Sequence, residues 1–110
     1  MASATEAKQG EAEAGPEGER HILLPAALDY AAAEDLHAEL LAARTAPVVV
    51  LDAAGVTTMS TTAVLVILSF LKGRADLSPP AVVRDPPGPF VDAFSQLGLF
   101  SNLMQMEFRT

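Results

Sequence analysis

The run Val48–Leu51, VVVL, constrains this chain more than any other stretch. Three of its four residues are β-branched, a side-chain shape that suits extended backbone. No polar residue alternates with the apolar ones, so both faces of the segment need cover. That pattern belongs to a central strand, and strands covered on both faces are characteristic of parallel sheets. The chain around it therefore has to supply crossover segments and helices.

The flanking segments fit that requirement. His21–Pro25 (HILLP) is a short apolar run stopped by proline and reads as a first strand. In the segment after it, Leu36, Leu40 and Leu41 recur at helical spacing, with Glu34, Asp35, Glu39 and Arg44 on the wet face. Asp29 is placed to cap this helix, and Pro47 ends it near Thr45. From Thr61 to Lys72 the chain is apolar nearly all round. Val64, Val66 and Ile67 would suit a strand, but the length and the closing Leu71-Lys72-Gly73 argue for a buried helix. Gly73 is expected to end it in a left-handed conformation.

Ala81–Arg84 is a third strand fenced by prolines, which keep a strand short or at an edge. Phe90, Val91, Phe94 and Leu97 then mark a two-turn amphipathic helix closed by Gly98. Met104, Met106 and Phe108 alternate with Gln105, Glu107 and Arg109, the pattern of a half-buried last strand. Strands and helices thus alternate along the chain without internal repeats. The expectation is an α/β fold: one small domain with a mainly parallel four- to five-stranded sheet and three or more helices.

With 110 residues the chain can build one core. Half its residues are hydrophobic and only 5% are aromatic, so that core rests on aliphatic side chains. Cysteine is absent, which removes disulfides and thiolate chemistry and agrees with a reducing cytoplasm. The net charge is −7; residues 1–19 hold five Glu and one Lys, a balance of −4, leaving −3 for the 91 residues that follow. Residues 1–19 contain no Val, Ile, Leu, Phe, Tyr or Trp, so they read as a disordered acidic tail, with the domain spanning 20–110. No basic stripe offers a nucleic-acid footprint. The longest unbroken apolar run, Ala63–Leu68, is far shorter than the ~20 residues of a membrane span. The N-terminus lacks the apolar core of a secretory signal. A soluble, cytoplasmic protein without membrane insertion is expected.

The chemistry, if there is any, gathers between the two most apolar segments. Thr57, Thr58, Ser60, Thr61 and Thr62 crowd the stretch that leaves Asp52 and enters the second helix. In parallel sheets, functional loops lie beyond the carboxyl ends of the strands. A helix N-terminus offers unpaired N–H groups and a positive dipole end, which favour a hydroxyl cap and tolerate a phosphate. Two uses follow: Ser60 or Thr61 caps the helix, worth about 1 kcal/mol, or one hydroxyl accepts a phosphate. Asp52 is expected to bond loop N–H groups.

The segment GVTTMSTTAVLVIL resembles the signature of the STAS domain family, the sulfate-transporter and anti-sigma-factor-antagonist domains. LPAALDYAAAEDLHAELL is similar to that family's first strand and helix, and PFVDAFSQLGLFSNL to its last helix and the turn beyond. Together they cover roughly residues 21–108. The resemblance implies that the family's Asp falls on Ser60, its phosphorylatable Ser on Thr61, the next Ser/Thr on Thr62 and its Gly on Ala63. The motif is therefore degenerate, with Thr61 as candidate phosphoacceptor. Ala63 is expected to narrow backbone freedom at the helix start.

What the resemblance implies is a non-enzymatic bacterial signalling adaptor without a cofactor of its own. It would bind a protein partner through Asp52, Thr57, Thr58, Ser60, Thr61, Thr62 and Ala63. The partner would be an anti-sigma-factor-like kinase, a sensor protein or a transport-complex subunit; any ATP and magnesium would belong to that partner. Family members with degenerate motifs resemble constitutive adaptors of chemotaxis-like and lipid-transport assemblies.

Other classes find less support. His21 and His37 are the only imidazoles, and no spacing joins either to Asp52 and a hydroxyl as base, orienter and nucleophile. Glu34, His37 and Glu39 are near in sequence, but His37 and Glu39 point to different helix faces, so no metal site is expected. A small-anion or nucleotide carrier lacks a Gly-rich cradle. Leu99, Phe100, Leu103, Met104 and Met106 crowd the C-terminal part, where an exposed apolar patch would mark a partner surface or a homodimer.

Overall fold

In the computed structural model, which describes residues 18–110, Val48–Asp52 forms the central strand that its composition dictates. The elements in chain order are β1 (Glu19–Leu23), β2 (Ala27–Leu28), α1 (Tyr30–Ala43), β3 (Val48–Asp52), β4 (Thr58–Met59) and α2 (Thr61–Gly73). After them come β5 (Val82–Arg84), α3 (Gly88–Gln96), α4 (Phe100–Leu103) and β6 (Glu107–Arg109). Four strands make one parallel sheet in the order β1-β3-β5-β6, and β2 pairs with β4, also in parallel, beside it.

Strand alternation sorts the sheet into two faces. Ile22, Val49, Leu51 and Val83 join one core with Leu36 and Leu40 of α1, Val64 and Ile67 of α2, Phe90 and Phe94 of α3 and Leu103 of α4. Val50 and Val82, each 1% exposed, point to the other face and stand outside that cluster. In their cross-strand row they lie between His21 and Glu107. Both faces of β3 are thus covered, one by helices and the other by polar side chains, among the described residues.

Asp29 caps α1 by accepting the Ala32 N–H at 2.9 Å, as expected. Gly98 adopts φ +72° just past α3, a left-handed turn that glycine takes without strain. At the end of α2 the expectation for Gly73 is corrected. Gly73 is the last helical residue and its φ is not positive; the chain turns at Arg74, whose N–H bonds back to Leu71 and Lys72 carbonyls. Arg74 is 3% exposed. It donates to the carbonyls of Pro80 (2.7 Å), Arg44 (2.8 Å) and Pro47 (3.4 Å) and lies 5.2 Å over the Phe70 ring. One guanidinium therefore ties the connection between α1 and β3 to the one between α2 and β5.

Other boundaries shift for physical reasons. β1 begins at Glu19, two residues before the apolar run and inside the stretch read as tail, because its register is set by pairing with β3 from Val48 onward. Residues 1–17 lie outside the described residues. α2 is not buried all round: Leu65 is 50% exposed, since a helix packed on a sheet has one face left over. Leu41 of α1 is exposed likewise. The proline-fenced strand is short, as expected, but interior, because β6 pairs outside it. Met104 and Met106 are not in the last strand: α4 and a turn occupy that stretch, and only Glu107–Arg109 extends. Met104 and Phe108 are exposed and Met106 is buried, so the alternation did not report a buried face. Among the described residues no helix is long and apolar enough to cross a membrane.

Candidate functional site

The hydroxyl-rich stretch starts at the carboxyl end of β3 and is held by backbone bonds from its first residue to its last. Asp52 Oδ1 accepts the Ala54 N–H at 3.1 Å, closing the local turn that a short carboxylate favours. Val56 is buried and anchors the bend. Thr57 donates both its N–H (2.7 Å) and its Oγ1–H (3.0 Å) to the Ala26 carbonyl, and the Ser60 N–H reaches the Leu28 carbonyl at 2.8 Å. The β2–β4 ladder lies between those two anchors. This small sheet, which nothing in the apolar patterning announces, fixes the approach to α2.

Ser60, in extended backbone, caps α2 by accepting the Ala63 N–H on its hydroxyl at 3.1 Å. A serine caps a helix about as well as an aspartate does. Ala63 sits at the third helical position, fully buried, with an ordinary helical role. Alanine has less backbone freedom than glycine, and inside a helix that favours it by about 1 kcal/mol. Its burial also removes Ala63 from any surface a partner can touch.

The hydroxyls therefore divide. Those of Thr57 and Ser60 are committed to the backbone. Thr58 and Thr61 are exposed, Thr62 is half-buried, and no partner among the described residues takes the Thr61 hydroxyl. Thr61 is the first residue of α2, where the helix presents its positive end.

Two grooves flank this helix start. One, of about 360 Å³, is lined by Met59, Thr61, Val64, Asp92, Gln96 and Leu97, and so lies between α2 and α3. The other, of about 300 Å³ and more open, lies between α1 and α2, with Tyr30, Glu34, His37, Thr62, Leu65 and Ser69 on its walls. Tyr30 and Leu65 are exposed apolar side chains on its rim. Sequence reasoning did not single out Tyr30, Leu65, Asp92 or Gln96. Asp92 and Gln96 come to Thr61 only through the packing of α3, and nothing in an all-apolar helix says which leucine will face water.

The two histidines stay apart. His37 is exposed on α1, and His21 lies on β1, where its Nε2 bonds Glu19 at 2.9 Å. Among the described residues no three His, Cys, Asp or Glu side chains gather as a metal site.

No protein-family model matches the chain, and no curated protein matches it by sequence. Among solved structures the chain is similar to the anti-sigma factor antagonist SpoIIAA in its unphosphorylated form. The superposition has a TM-score of 0.71 at 17% identity and covers 91% of this chain and 87% of that one. At this identity the likeness speaks for the fold alone.

Proposed function

We propose, for a chain with the STAS fold, that it is a bacterial, cytoplasmic, non-enzymatic regulatory adaptor whose α2 start is the surface a protein partner docks on. The observation that carries this reading is the division of the hydroxyls. Two are spent on holding the stretch rigid, and Thr61 is left exposed at a helix N-terminus between two grooves. A preorganised rim of this kind limits the ordering cost of binding. The likeness to an anti-sigma factor antagonist adds support for a protein as the partner. The partner types proposed are an anti-sigma-factor-like kinase, a sensor protein or a transport-complex subunit.

Thr61 is the proposed phosphoacceptor. A phosphate there adds about −1.5 to −2 charge. It would face the groove that already holds Asp92 and that no cation lines. The added charge acts as an off switch, repelling or blocking a segment seated between α2 and α3. A constitutive adaptor needs the same surface without the modification.

The test is capture from the native host with the tagged full chain, followed by mass spectrometry of the chain itself. The expected result is a partner retained by the wild type and by Thr61→Ala, lost with Thr61→Glu, and a mass gain of about 80 Da on a peptide containing Thr61. Partner retention that ignores both Thr61→Glu and a Leu65→Asp change would overturn the docking surface. Absence of the mass gain while retention is lost with Thr61→Glu selects the constitutive adaptor.

A further inference from the structure

β6 is an edge strand, and its three residues have a symmetry of their own. Glu107 donates its N–H to the Ala81 carbonyl, and Arg109 accepts the Asp85 N–H on its carbonyl. Backbone groups alternate sides along a strand, so Glu107 and Arg109 face β5 while the N–H and C=O of Phe108 point away from the sheet. The Phe108 side chain shares the helix-side face with Val83 and is 42% exposed; Phe100 and Met104, in the segment leading into β6, are exposed as well. Glu107 and Arg109 project on the opposite face, in the rows of Val82 and Arg84.

We propose that the β6 edge pairs with the β6 edge of a second copy, antiparallel about a twofold axis at Phe108. In that arrangement the two Phe108 residues exchange both outward hydrogen bonds and their rings meet on one face. On the other face, Glu107 of each copy stands opposite Arg109 of its mate. The in-chain Glu107–Arg109 pair, 2.9 Å apart, then closes into a ring of four alternating charges. The same operation satisfies each copy identically, as an isologous dimer requires. The other edge lacks this property. Antiparallel self-pairing of β1 about His21 sets Glu19 against Leu23 and Arg20 against Ile22, with no opposite charge in either pair. Three residues of ladder bury little area, so the dimer is weak and concentration-dependent. It would join two four-stranded sheets into one of eight. This inference does not depend on the α2 surface.

Sedimentation equilibrium of the full chain from about 10 µM to about 1 mM tests it. The wild type is expected to dimerise across that range. Glu107→Arg and Arg109→Glu each set like charges opposite one another and should weaken self-association at least tenfold. Mixing the two variants in equal amounts should restore a heterodimer, because one chain then offers two cations and the other two anions. Phe108→Pro removes an outward N–H that serves no bond to β5, and should leave a folded monomer by circular dichroism. A wild type that stays monomeric at the top concentration, with the edge covered by the acidic N-terminal segment or by nothing, overturns the proposal. So does a dimer that these changes leave intact.

Discussion

Arg109 Nη1 lies 3.2 Å from Glu19 Oε2, joining the two outer strands of the sheet across the two strands between them. Glu19 also accepts from His21, and Arg109 also donates to Glu107 at 2.9 Å. The bridge passes over β3 and β5, where Val50 and Val82 would otherwise meet water. A charged layer thus does on this face what helices do on the other.

The bridge predicts an acid-sensitive contribution to stability. Hydrogen bonding from His21 foremost, with that of Arg109, holds the Glu19 carboxyl below its ordinary value of 4.5 against the opposing effect of desolvation. A carboxyl lowered in the folded state stabilises it fully above the unfolded value and loses that contribution as pH falls through the folded one. Thermal unfolding should therefore show a smaller loss of Tm between neutral pH and pH 3 in Glu19→Gln than in the wild type. Equal losses in both would remove Glu19 from the acid response.

Ser60 and Thr61 are neighbours with opposite roles. Ser60→Ala should cost about 1 kcal/mol in denaturant unfolding by leaving the Ala63 N–H without its cap. Thr61→Ala, exposed and without a hydrogen-bond partner among the described residues, should stay within about 0.5 kcal/mol. Ser60→Asp should keep the wild-type stability, because a carboxylate caps as a hydroxyl does.

Ala63→Gly puts a glycine at the third position of α2. It should destabilise the chain by about 1 kcal/mol, through the entropy of an unneeded freedom inside α2 and the loss of a buried methyl. A gain in stability would mean that the helix start is strained in a way its dihedrals do not record.

Arg74→Met keeps the aliphatic stem but deserts the carbonyls of Pro80, Arg44 and Pro47. Three acceptors lose a charged donor, a cost of about 2–4 kcal/mol in chemical denaturation. Arg74→Lys should recover only part of it, since an ammonium cannot span the fork that the guanidinium fills. Near-wild-type stability of Arg74→Met would show that water replaces the fork.

What the sequence determined by itself was what depends on neighbours along the chain. β-branched runs chose β3, periodic leucines with Asp29 chose α1, and Phe90 and Phe94 with Gly98 chose α3, because propensity, capping and turn conformation are local terms. The bend of hydroxyls after β3 and its passage into α2 were legible for the same reason. Only the tertiary structure decided the rest. The β2–β4 ladder needs two-residue partners about thirty positions apart, too short to carry a pattern. Arg74 reads as an ordinary surface charge until three distant carbonyls converge on it. Met104 and Phe108 alternate like a buried strand, yet Met104 closes α4 and only Phe108 enters the last strand, at the sheet edge; both side chains face solvent. Which threonines remained available was likewise a tertiary matter: Thr57 was claimed by a carbonyl 31 residues away, and the exposed Thr58 and Thr61 were not.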